Sequence, residues 1–121
     1  MAVPFDGDGS EQVAEALRMA PIEAICAELV RRAGSAAALA TEAARLAATE
    51  HTPLDGLLEL VAGAQHAAER ATRMRDAVRA LAPDTDYARD AGACVVTARL
   101  AAERCQLIRT RLWAQYQGGR A

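Results

Sequence analysis

Two of the chain's three cysteines, Cys94 and Cys105, stand eleven residues apart in an alanine-rich stretch, Asp90 to Leu107, with helical periodicity. Thiols can form a disulfide, ligate a metal or act as nucleophiles. On a helix, eleven residues put both sulfurs on one face but about 16 Å apart along the axis, against the ~4.4–6.8 Å between α-carbons that a disulfide needs. The pair therefore neither bridges within the chain nor shares a metal ion. Cys26 is the remaining candidate, because it reaches the level of Cys94 within a turn or two if the helices that carry them run parallel. A closed zinc site would also need the two histidines, His51 and His66, and both have polar neighbours. The plainer reading is cysteine as a small apolar core residue.

His66 has Glu59, Glu69, Arg70 and Arg73 within one or two helical turns. An imidazole beside carboxylates can bind a metal or carry a proton. The competing reading is a solvated face on which Glu69 and Arg73 make an i,i+4 ion pair. The Glu-x-x-His step that iron-carboxylate bundles take from two helices does not occur. In Asp6-Gly-Asp8-Gly-Ser10 the acids have calcium-loop spacing, but the sixth position is Glu11 rather than glycine and the twelfth is Leu17 rather than glutamate. There is no phosphate-binding glycine loop and no nucleophile elbow. We assign no catalytic, cofactor-binding or metal-binding residue, and no motif carries a resemblance to a known family.

The 121 residues fit one domain. Roughly a quarter are alanine and only 3% are aromatic, which favours helix and disfavours sheet. All fourteen basic residues are arginine and the net charge is -2. Charge is uneven along the chain. Residues 1–30 hold six acids against Arg18, a net of -5, and 99–121 hold five arginines against Glu103, a net of +4. The first residues lack the pattern of a secretory signal, no run reaches the ~20 apolar residues of a membrane span, and the odd cysteine count fits reduced thiols, so a cytoplasmic location is expected.

Residues 1–9 read as a flexible acidic leader and 118–121 as a flexible tail, around a helical domain over 10–117. Ser10 is placed to cap a short helix to residue 20, and Pro21 to open a long one to about 50. Ile22, Cys26, Leu29, Ala33, Ala36, Ala40, Ala43 and Ala47 follow 4,3 spacing without a slip, which argues for continuity across Gly34. Thr52 and Pro53 mark the start of a helix over 53–82, with a seam from Leu57 through Ala64 and Ala71 to Val78 and Leu81. Asp84 or Asp86 caps the last helix, 85–117, whose seam runs from Tyr87 through Ala91, Cys94, Ala98, Ala101 and Cys105 to Ile108 and Leu112. Short turns make neighbours antiparallel. The expected fold is all-α: an elongated up-down-up three-helix bundle with coiled-coil-like alanine seams and a short extra N-terminal helix.

Opposite its seam, the last helix carries a second apolar stripe of Val96, Leu100 and Leu107. A helix apolar on two sides is buried on two sides, and a three-helix bundle uses one. Either the short N-terminal helix covers the stripe, through Val13, Leu17 and Met19, or a partner does. At the same end, Arg109, Trp113 and Tyr116 fall at i, i+4 and i+7, and these are residue types enriched in binding hot spots. They serve either as a contact or as a cap on the bundle end. The expectation is a non-catalytic protein–protein interaction module, an adaptor, inhibitor or small subunit, that meets a protein partner or a second copy through Val96, Leu100, Leu107, Arg109, Trp113 and Tyr116. The alternative is a small enzyme or ligand-binding bundle whose arginines grip an anionic small molecule. A third reading, nucleic-acid binding by Arg99, Arg104, Arg109, Arg111 and Arg120, is disfavoured by a pI of about 5.7, since dedicated binders usually exceed ~9.

Overall fold

A computed structural model describes the backbone of residues 8–49 and 53–119, and the side chains of 19–49 and 53–118. Three helices account for nearly all of it: α1 (Asp8–Ala47), α2 (Leu54–Leu81) and α3 (Asp86–Gly119). Among the described residues there is no strand. At ~1.5 Å per residue the helices measure about 60, 42 and 51 Å, and each packs against both others.

α1 is one helix where a short helix and a long one were expected. It runs through Pro21. Proline removes one backbone donor and crowds the carbonyl four residues earlier, at a cost of ~3 kcal/mol. Breaking the helix there would leave several donors unpaired, and Arg18-Met19-Ala20 offers no capping side chain to take them. Good helix formers on both sides favour continuity. Ser10 accordingly lies inside the helix, and Met19 is partly buried against the core. The Asp6 end of the calcium-like loop, and the side chains of Val13 and Leu17, lie outside the described residues. Gly34 interrupts nothing, and a methyl group built on it meets no atom within 4 Å.

Most of the residues at the 4,3 positions are buried or partly buried. Ile22, Leu29, Ala33, Ala36, Ala40 and Ala43 are buried on α1, as are Leu57, Ala64, Ala67, Ala71 and Val78 on α2, and Ala91, Ala98, Ala101 and Cys105 on α3. Val61, Ala68 and Val95 are also buried although they lie off the 4,3 line. Each helix of a three-helix bundle faces two neighbours, so its buried arc is wider than a single seam. Leu81, expected as the last seam residue of α2, is 60% exposed. The chain leaves the helix there, and Ala82, at φ -144° and ψ 65°, takes the buried place.

Close contacts record how the helices meet. On α1 and α2, Leu46 lies beside Gly56 and Leu39 beside Gly63, where an added methyl would come within 3.1 Å of Leu39 Cδ1. On α2 and α3, Arg79 lies beside Gly92. Near the start of α3, Tyr87 donates its hydroxyl to Glu23 Oε1 of α1 at 2.8 Å, and the Cys26 thiol lies 4.0 Å from the Tyr87 carbonyl.

Capping differs from expectation in detail. Thr85, rather than Asp84 or Asp86, caps α3: its Oγ1 accepts from the Ala88 amide at 3.3 Å and donates to the Ala82 carbonyl at 2.7 Å. Asp84 stands at φ 58°, the left-handed region, and so turns the chain instead of capping it. Pro53 immediately precedes α2 rather than forming its first residue, and Thr52 lies outside the described residues. The ion pairs among the described residues are local, Glu28 with Arg31 and Arg32, Glu42 with Arg45, Arg75 with Asp76 and Asp86 with Arg89. The expected Glu69–Arg73 pair is not among them.

Two substitutions test this arrangement by urea unfolding. Gly34→Ala, on an open helix surface, raises stability by about 0.5–1 kcal/mol, and Thr85→Ala lowers it by about 1 kcal/mol. A Gly34→Ala chain less stable than the parent contradicts a continuous α1.

Candidate functional site

α3 carries apolar side chains on two sides. Its inner side packs Ala91, Val95, Ala98 and Cys105 into the core. Its outer side leaves Val96, Leu100 and Leu107 at 57%, 59% and 60% exposure. Spacings of four and seven residues keep these three within about 40° around the helix. Among the described residues nothing covers them, because residues 10–20, expected to lie across the bundle, continue α1 instead.

The surface extends toward the end of α3. Trp113 and Tyr116 stack with ring centroids 5.8 Å apart and planes inclined by 28°, and each remains about half exposed. The arrangement at i, i+3 lets the rings meet each other. Arg109 is exposed and, with Trp113, Gln106 and Thr110, lines one wall of a groove of about 300 Å³. The opposite wall is Leu54 and Leu58, the exposed leucines of the first turns of α2. A second depression of about 520 Å³ shares Gln106 and Thr110 with the first, and it adds Ala68, Ala102 and Leu107. The two form one furrow between α2 and α3 that joins the outer stripe at Leu107.

All six residues proposed from the sequence therefore lie on exposed parts of α3, although on two flanks of it. Val96, Leu100 and Leu107 point directly outward. Trp113 and Arg109 border the furrow beside α2, and Tyr116 joins them through its ring. Leu54 and Leu58 were missed. Their signal was the crowding of large apolar residues in Leu54-Asp-Gly-Leu57-Leu58-Glu-Leu60-Val61, more than one seam can bury.

The arginines meet in two places. Arg73 and Arg99 border a depression of about 350 Å³, and Arg79 and Arg89 one of about 430 Å³. Glu69 lies in the first and Asp84 in the second, so each concavity holds a carboxylate as well as guanidinium groups. Arg104 and Arg111 stand in solvent on the far side of α3. No group of three or more His, Cys, Asp or Glu is gathered to hold a metal ion among the described residues, and no helix is long and apolar enough to cross a membrane. His66 is exposed, and His51 lies outside the described residues.

The thiols are unpaired, with Cys105 buried and Cys26 and Cys94 half-buried. Burial, then the Asp90 carboxylate, pushes Cys26 and Cys94 above the ordinary thiol range, with smaller contributions at Cys26 from Cys94 and Glu23. Burial raises Cys105 as well, partly offset by Arg104. A nucleophilic cysteine needs the opposite shift.

Thiol labelling by a chromogenic disulfide tests this. At pH 8 the native chain reacts slowly and the unfolded chain rapidly, whereas a fast native thiol contradicts packing cysteines. Because the folded values are raised, the stability from neutral thiols is full below the ordinary thiol pKa and is lost as pH rises through the folded values. Denaturation midpoints are thus expected to fall above about pH 9, and a cysteine-free variant should lose the first part of that fall while keeping the part at higher pH that comes from Tyr87, whose hydroxyl is raised by its hydrogen bond to Glu23. Compared with family models, curated proteins and solved structures, the chain matches none of them.

Proposed function

We propose that the chain is a non-catalytic helical interaction module, an adaptor, inhibitor or small subunit, that associates with a second copy of itself through the outer face of α3. The observation that carries the reading is the exposure of Val96, Leu100 and Leu107 on one face of a helix whose other face is already in the core. Exposed leucines scattered singly need no explanation, but a contiguous patch marks an interaction site. Here the patch continues through the furrow to Trp113 and Tyr116. Aromatic and arginine side chains at its end supply the anchor residues that interfaces favour.

The same reading takes the helices as an up-down-up path with alanine seams packed as in a coiled coil. Leu46 beside Gly56, Leu39 beside Gly63 and Arg79 beside Gly92 support the alternation, since contacts on one helix advance as those on the next recede. The contacts of Glu23 and Cys26 with Tyr87 support parallel α1 and α3. The 4,3 spacing of buried alanines supports the seams. A cytoplasmic location is part of the proposal, resting on unpaired thiols.

The second reading, an arginine-lined site for an anionic small molecule, draws on the Arg73–Arg99 and Arg79–Arg89 depressions. The carboxylate in each weakens it. Nucleic-acid binding draws only on the arginines of α3 and remains the weakest.

Light scattering across a concentration series tests self-association. The chain is expected at twice 12.8 kDa, with Leu100→Glu and Leu107→Glu each returning it to 12.8 kDa without loss of helicity. Dimers that persist in both variants remove the outer face of α3 as the contact.

A further inference from the structure

The outer stripe of α3 has an internal order that restricts how a second copy can meet it. From Val96 the outward positions step by four and three through Leu100, Glu103, Leu107 and Thr110, all exposed. Along one edge of this stripe, at seven-residue intervals, stand Asp90, Thr97, Arg104 and Arg111, also exposed. Positions seven apart drift only ~20° around a helix, so the four share a flank. The four are acidic at the beginning and basic at the end, and Arg89, beside Asp90, is neutralised by its ion pair with Asp86.

We propose that two copies pair through α3 in antiparallel orientation about a twofold axis near Ala101 and Ala102, with Val96 against Leu107 of the second copy and Asp90 offset from its Arg111 by about 3 Å along the axis, within reach of the long arginine side chain. The proposal rests on self-association through α3 and adds its orientation and register. Antiparallel pairing brings the acidic start of each flank to the basic end of the other, and symmetry makes the contact twice. Parallel pairing sets Asp90 on Asp90, Arg104 on Arg104 and Arg111 on Arg111, so like charges oppose it. A twofold contact uses the same patch on both copies and closes at two chains, as isologous interfaces do.

One further feature falls into place at the same register. Glu103, the acid within the apolar stripe, lies opposite Leu100 of the second copy, beside that copy's Arg99. Its carboxylate is therefore matched when its stem is covered.

Charge reversal tests the register. Asp90 and Arg111 are both exposed, so reversal leaves the core untouched, and circular dichroism confirms helicity. By sedimentation equilibrium, Asp90→Arg and Arg111→Asp each turn two attractive contacts into repulsive ones and raise the dimer Kd by about tenfold. The double variant restores Kd to within about threefold of the parent, because both contacts are rebuilt with exchanged signs. An equimolar mixture of the single variants associates more tightly than either alone. Single variants with the parent's Kd, or a double variant no tighter than the singles, overturn the antiparallel register while leaving self-association in place. A parent chain that is monomeric throughout overturns self-association itself, and this register with it.

Discussion

Alanine at the helix contacts is the constraint on which the rest of the structure depends. Where the buried face is built from Ala36, Ala40 and Ala43, or from Ala64, Ala67 and Ala71, backbones can approach toward the short end of the usual ~8–10 Å helix spacing. The cost is a thin core, since burial stabilises by ~25 cal/mol per Å² and an alanine side chain has little area to bury. Among the described residues Leu29, Leu57, Val61, Val78, Val95 and Cys105 are the largest fully buried side chains, and no polar or charged residue is buried with them. Among the described residues every ion pair lies within one helix, so packing rather than ion pairing joins the helices.

That economy within makes the outside informative. Val96, Leu100, Leu107 and Trp113 are larger than most residues in the core, yet all are more than half exposed. A chain short of buried apolar area gains from covering them, and association is the direct way to do so. Val30 and Leu81 are exposed as well, but each stands apart from this group and needs no partner. The patch on α3 differs because it is contiguous, runs along one helix and ends in a furrow with leucines on one wall and an aromatic ring on the other.

Helix periodicity made most of the fold legible. An unbroken 4,3 pattern from Ile22 to Ala43 specified one face, and these residues are buried or partly buried on α1. The outer stripe of α3 was legible for the same reason, being a second set at the same period. What was misread involved local backbone choices that periodicity does not report. Pro21 resembled a helix start, but without a capping residue before it the cheaper course is to continue. Asp84 and Asp86 resembled caps, yet Thr85 sits at the residue where the helix begins and its hydroxyl reaches both Ala88 and Ala82. Leu54 and Leu58 were hidden because their role depends on which side of α2 faces α3, a property of packing and not of spacing. The ring contact of Trp113 and Tyr116 was half legible: spacing placed them together with Arg109, whereas side-chain packing turned the rings onto one another.

Self-association through the outer face of α3 makes its sharpest demand on solvent protection along that helix. Hydroxyl-radical footprinting of Leu100, Leu107 and Trp113 at low and high protein concentration measures it directly. The account predicts that all three become protected as concentration rises, while Val30 and Leu81 stay equally reactive. Unchanged reactivity at Leu100 and Leu107 over the range in which the mass doubles would contradict it.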